Sequence, residues 1–239
     1  MAQTYGPPSI ITNGLVFVVD PGNPESWSSP SSTDVYDIVE RGIDPIITGS
    51  TINDNSPGPL DGSVGYFDFD GTDDYIKFPA ANVILPDSPY NYITVECWAN
   101  PDSIDNYAGI WSLGHPTGGI GIGLWTRSVN WIQFGVYPGS DQRTSVTNYS
   151  VDYPGWRLIT CTYNGVSGGG KIFIDGIERA NNTNTGTFST NDSYDMRIAS
   201  DNGTGVELNG KIGPLKIYNR VLTDSEIMQN YEATKNRYQ

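Results

Sequence analysis

The sequence predicts an all-β fold, a sandwich of two antiparallel sheets closed by one short C-terminal helix. Three observations predict it. Glycine and proline are plentiful, 28 and 16 among 239 residues, and they punctuate the chain into short apolar runs. Those runs are rich in β-branched and aromatic residues, with six Trp and 15 Tyr in the chain, and several alternate apolar with polar positions. A helical start signal stands out only near the C-terminus. No fixed-period repeat and no linker divides the chain, so one domain is expected, and β sandwiches of this length commonly stand as one unit.

Taken in order, residues 1–13 read as an extended arm, because Gly6-Pro7-Pro8 opposes both helix and sheet pairing. The domain proper is expected over 14–239. "GLVFVVD", from Gly14, is apolar at every position before the Asp, as for a strand covered on both faces. After a loop and weak strands such as "DPIITGS" come "VGYFDFD" and "DYIKF", two alternating strands joined as a hairpin around Gly71-Thr72. In "YITVECWANP", Ile93, Val95, Cys97 and Ala99 share one face, and Thr94, Glu96 and Trp98 the other. "GIWSLG", "GIGIGLWT" and "WIQFGVY" are three further strands. "WRLITCTYNG" places Ile159, Cys161 and Tyr163 together. "KIFIDGIERA" is a hairpin tipped by Asp175-Gly176, a pair that suits a primed two-residue turn. "DMRIAS" and "GKIGPLKIYNR" complete the strands. The helix is expected over about 223–236, with Thr223 and Glu226 as a capping box and Ile227, Met228 and Tyr231 as its docking stripe.

The net charge of −14, from 27 acidic and 13 basic residues, disfavours nucleic acid and anionic membranes as partners. Five basic residues follow position 210 (Lys211, Lys216, Arg220, Lys235 and Arg237), suited to an acidic partner or to a solvated helix face. There is no basic-then-apolar leader at the N-terminus and no run of about 18 apolar residues, so neither secretion nor a membrane span is expected.

Asp68, Asp70, Asp73 and Asp74 crowd one turn. An EF-hand loop starting at Asp68 would need Gly where Asp73 stands and Glu where Pro79 stands, so that template fails. Turn chemistry explains Asp70-Gly71-Thr72-Asp73, with cation contact through Asp70 and Asp73 as the alternative. In "ASDNGTGVEL", Asp201, Asn202 and Glu207 offer oxygen ligands, or form a plain turn. His115 is the one histidine, expected in an exposed loop, and neither a G-x-S-x-G elbow nor a zinc ligand set accompanies it. Trp98, Trp156 and Tyr163 are expected in the core.

The run "GLVFVVDPGNPESW", "FDFDGTDDYIKF", "ITVECWANP", "WRLITCTYNG", "KIFIDG" and "LNGKIGPLKIYNRVLTDSEIMQNYEA" resembles, in order, the laminin-G-like branch of the concanavalin A-like jelly rolls. The likeness spans roughly residues 14–231. It implies a jelly-roll topology. It also implies sugar binding on aromatic faces, for which Trp111, Trp125 and Tyr137 are the candidates, and calcium on loops at Asp70, Asp73, Asp201 and Asn202 as an optional ion, no cofactor being required. Glucanases of the superfamily carry an E-x-D-x-E strand; "TVECWAN" has only Glu96, so no enzymatic activity is expected. Pentraxins, distant relatives in fold, join two similar strands by a disulfide, which implies a Cys97–Cys161 bridge; two buried thiols is the alternative.

The short arm and the ending "QNYEATKNR" are similar to stand-alone laminin-G-like proteins of tailed bacteriophages of cyanobacteria and marine bacteria. That likeness implies a non-enzymatic virion structural protein on a capsid or tail, made in the host cytoplasm, its partners other virion subunits and copies of itself. Tyr5, Pro7, Pro8, Ile10 and Ile11 would anchor it, their backbone groups free to pair with a neighbouring subunit. A glycan-binding adhesin for host-surface recognition, calcium-assisted or not, is the rival reading.

Overall fold

A computed structural model of the chain describes residues 8–27, 35–39, 46–48, 65–78, 90–103, 107–115, 120–127, 131–138, 146–150, 155–189, 195–201 and 207–239. Tyr5, Pro7 and Asn202 lie outside the described residues, whereas Pro8, Ile10, Ile11 and the other site candidates lie within them. The described strands are β1 (Leu15–Val19), β2 (Ile46–Thr48), β3 (Phe67–Asp70), β4 (Tyr75–Phe78), β5 (Tyr92–Pro101), β6 (Gly109–His115), β7 (Ile120–Arg127), β8 (Trp131–Pro138), β9 (Val146–Ser150), β10 (Arg157–Asn164), β11 (Gly169–Ile174), β12 (Ile177–Asn181), β13 (Met196–Ile198) and β14 (Asn209–Tyr218). Among the described residues one α-helix, α1 (Asp224–Thr234), follows, with a 3-10 turn at Lys235–Arg237.

They form two antiparallel sheets. The first runs β1-β14-β5-β10-β11-β12, with β3 also on β14; the second runs β2-β4-β13-β6-β7-β8-β9. Strands far apart in sequence pair in each sheet, as a jelly roll requires. Alternation sets the core. Ile93, Val95, Cys97 and Ala99 of β5 meet Ile159, Cys161 and Tyr163 of β10 on the inner face, where Phe17, Phe67, Phe69, Ile76, Phe78, Trp111, Leu124 and Phe134 join them, all buried. Apolar burial of this extent is the main stabilising contribution.

The outer face of the first sheet is covered by α1. Phe173, Tyr218, Leu222 and Ile227 pack there with Ile11 and Leu15; Trp98, Leu158 and Tyr238 form a second group with Trp156 and Tyr231. Trp156 is therefore half-buried under the C-terminus rather than in the inter-sheet core. The expected capping box is present: Thr223 Oγ1 accepts from the Glu226 amide, and the Thr223 amide donates to the Glu226 carboxylate at 2.8 Å. Met228 stays exposed; Asn230 is the residue of the helix that is buried beside Ile227.

Two expectations need correction. "FDFDGTDDYIKF" is not a hairpin: β3 pairs with β14 in the first sheet, and β4 pairs with β2 and β13 in the second. The Asp turn therefore carries the chain across the sandwich, and Ile76 fills the core beside it. His115 closes strand β6 instead of lying in a loop. The Asp175-Gly176 hairpin is as expected, with both residues at positive φ (52° and 80°) between the paired Ile174 and Ile177.

Candidate functional site

In the crossover turn, Asp70 and Asp73 are exposed and Asp74 is buried, and a carboxylate oxygen from each lies within 4.8 Å of the others. The turn is held by its own backbone: the Thr72 amide donates to Asp70 Oδ1 at 2.8 Å, and the Asp70 amide to Asp74 Oδ2 at 3.3 Å. Asp68 does not contribute, because it points off the first sheet toward Lys211, 3.8 Å away. Burial raises its carboxyl above the usual range, against the pull of Lys211. Three carboxylates at this spacing suit a hard cation with oxygen ligands. Asp74, the third member, was missing from the sequence-derived pair. Asp201 is elsewhere, buried behind β13, where its carbonyl accepts from Arg197 Nη1 at 2.9 Å.

The aromatic candidates are a correction. Trp111, Trp125 and Tyr137 are all buried, 0%, 3% and 7% exposed, and none presents an open platform. A register shift in β6 between Gly109 and Trp111 turns Trp111 into the core, 6.2 Å from Phe134. Trp125 and Tyr137 do lie on the outer face of the second sheet, edge to face at 6.3 Å. The Trp125 indole lies over the paired Gly123 and Gly135, where an added Cβ would come within 2.7 and 2.9 Å of the ring.

Beside them the same face opens. Trp131, opposite Arg127 on β7, is 41% exposed, and the Arg127 guanidinium stacks on Tyr107, 3.6 Å from the ring centroid, with Tyr107 37% exposed. Tyr107 adopts a positive φ of 67°, a conformation uncommon outside glycine. Trp131 has the strand alternation to be found from sequence; Tyr107 had no signal, because its loop conformation has none.

Cys97 and Cys161 are free buried thiols, which corrects the implied bridge. Cys97 stands opposite Ile159 and Cys161 opposite Val95, so they are diagonal neighbours, not a facing pair. Burial pushes both thiols well above their ordinary range.

The arm is corrected as well. Ile11 has no free backbone: its amide donates to Asn230 Oδ1 at 2.7 Å and its carbonyl accepts from Tyr218 Oη at 3.1 Å. Asn230 Nδ2 in turn donates to Glu96 at 2.8 Å, and Lys216 lies 3.8 Å from the same buried carboxylate. Burial raises the Glu96 carboxyl above its ordinary range, opposed chiefly by Lys216. Sealed under α1, Glu96 serves to dock helix and arm. The basic residues after position 210 are likewise spent within the chain, with Lys211 on Asp102, Arg220 on Glu226, Lys235 on Glu232 and Arg237 on Asp20.

The family model described as the concanavalin A-like lectin/glucanases superfamily matches residues 70–228. No curated protein sequence matches the chain. Among solved structures, the chain is similar to domain 4 of AbnA, a GH43 extracellular arabinanase of Geobacillus stearothermophilus, in complex with arabinotriose: 18% identity, 91% of this chain and 98% of that one, TM-score 0.63. It is similar to the binding domain of botulinum neurotoxin DC in complex with SialylT, at 14% identity over 92% of this chain and 51% of that one, TM-score 0.66. A third is the Trypanosoma rangeli sialidase in complex with sialic acid, 15% identical over 95% of this chain and 34% of that one, TM-score 0.65. The chain thus spans about half of the toxin binding domain and a third of the sialidase. At these identities the structures show a shared fold. That fold, and a family match over more than half the sequence, make this chain a member of the concanavalin A-like lectin/glucanase superfamily.

Proposed function

We propose that the chain is a non-catalytic carbohydrate-binding domain that recognises surface glycans. The observation that carries this reading is the exposed pair Trp131 and Tyr107 flanking Arg127 at one end of the second sheet's outer face. Rigid aromatic rings supply flat apolar area for the faces of sugar rings, and a guanidinium supplies hydrogen bonds at their edge. The arabinanase domain solved with arabinotriose, aligned along nearly all of both chains, supports the same reading. Against hydrolysis stands the burial of Glu96, the one acid of β5, beneath α1. Calcium, where used, would sit on Asp70, Asp73 and Asp74.

Placement on a bacteriophage particle is supported by the resemblance of the two ends and by the charge of −14, which keeps particles apart. Anchoring by Ile10 and Ile11 loses support, because Ile11 is engaged by Asn230 and Tyr218 of its own chain.

A glycan array probed with the wild type, with and without chelator, and with Trp131→Ala and Tyr107→Ala tests the reading. The wild type should retain glycans, and each variant should bind roughly tenfold more weakly. No retained glycan, or binding unchanged in both variants, overturns it.

A further inference from the structure

Across β4 and β13, Lys77 and Arg197 are direct partners in register. Their neighbours Ile76, Phe78, Met196 and Ile198 are in the core, so both cations stand on the outer face of the second sheet. Like charges directly opposed across strands destabilise a sheet. In a chain of net charge −14 this pairing is conspicuous, because carboxylates are abundant. Seven other basic residues, Arg157, Lys171, Lys211, Lys216, Arg220, Lys235 and Arg237, each lie within 4.0 Å of a carboxylate. Neither Lys77 nor Arg197 has such a partner among the described residues. Arg197 Nη1 is spent on the Asp201 carbonyl, while its Nε is buried with no acceptor. The guanidinium also stacks on Tyr75, 4.5 Å from the ring centroid. Ser112, the partner of Arg197 on β6, continues the row toward Gly123.

Two uncompensated cations beside an aromatic ring make a receptor for an anion attached to a ring. We infer that Lys77, Arg197 and Tyr75 form a carboxylate subsite for an acidic sugar, of the uronic acid class, within the glycan bound by this domain. The carboxylate takes charge-assisted hydrogen bonds from Lys77 Nζ and Arg197 and relieves their repulsion, and the sugar ring packs on Tyr75. From the Arg197 row, Arg127 is two strands across and four residues along, roughly 17 Å away, with the buried Ser112 and Trp125 between them, so the subsite is separate from the exposed Trp131. The sugar part of this inference rests on the carbohydrate-binding reading; the anion part rests on the cation pair alone.

The test is calorimetric titration of the full chain with oligogalacturonate, with a neutral arabino-oligosaccharide and with sodium sulfate, using wild type, Lys77→Gln and Arg197→Gln. Oligogalacturonate should bind the wild type and lose roughly tenfold in affinity in each variant, and the neutral oligosaccharide should be indifferent to both changes. Thermal melting supplies a check that needs no ligand. Lys77→Gln should raise the melting temperature of the free protein, because it ends a repulsion, which also shows that the variant folds. Equal binding of acidic and neutral oligosaccharides, unchanged in the variants, overturns the subsite and leaves carbohydrate binding standing. Equivalent binding of sulfate would reduce the pair to a general anion site and overturn the sugar assignment. Absence of binding to either oligosaccharide overturns both readings. A lowered melting temperature in Lys77→Gln overturns the repulsion on which the inference is built.

Discussion

At the scale of single residues, glycine decides where the aromatic rings go. Gly123 and Gly135 face each other across β7 and β8 and leave a slot that the Trp125 indole fills. A methyl group at position 123 would meet that ring at 2.7 Å, so Gly123→Ala should displace Trp125 and destabilise the protein by about 1–3 kcal/mol. Urea unfolding followed by tryptophan fluorescence measures both effects, and an unchanged midpoint would show that the slot is loose. The strand alternation around Trp125 was plain in "GIGIGLWT", yet its burial was not, because the slot needs Gly135 of the neighbouring strand opposite Gly123, and that pairing leaves no mark on the local pattern. Trp111 fails for a different reason: a bulge shifts its face, and bulges are set by pairing with another strand. Asn230 and Glu96 are polar residues, yet both are fully buried. Their burial follows from the helix lying on a polar row of β5, which no local rule anticipates.

At the scale of elements, the helix and the hairpins were readable because their signals are local. The capping box of α1 is written in four residues, and the Asp175-Gly176 turn in two. Glu226 ties the cap to the connection after β14 through a two-pronged ion pair with Arg220, at 2.8 and 2.7 Å. The hydrogen bonds from Arg220 hold the Glu226 carboxyl at about 2, well below the usual carboxylate range. Because the folded pKa is depressed, this contribution is fully present above the unfolded value of 4.5 and is lost as the pH falls toward 2. In Glu226→Gln that loss should disappear from the difference between urea midpoints measured near the two ends of this window. The effect is small, since the pair is solvent-screened. An undiminished difference would assign the acid sensitivity to other carboxyls. The β3–β4 turn shows the opposite case. Its residues satisfy a hairpin pattern, and only the long-range partners, β14 on one side and β4's neighbours on the other, separate a hairpin from a crossover.

At the scale of the molecule, six motifs in order were enough to anticipate the two-sheet sandwich, because strand alternation and burial are coupled along the chain. The fate of the ends was not, since it depends on contacts more than 200 residues apart. Residues 8–13 are a docked strap over α1, with Gln229 Nε2 also donating to the Ser9 carbonyl at 2.8 Å. Deleting residues 1–13 should therefore cost about 2–4 kcal/mol of stability, since it strips Ile11 from its apolar cluster and leaves buried Asn230 short of a partner. Equilibrium denaturation decides it, and a free anchoring arm would leave the midpoint where it was. The docking of both ends on one side has a geometric outcome. A tether entering at Pro8 or leaving at Gln239 would lie behind the first sheet, so a support gripping either end leaves the exposed Trp131 and Tyr107, on the opposite side, turned toward whatever passes in solution.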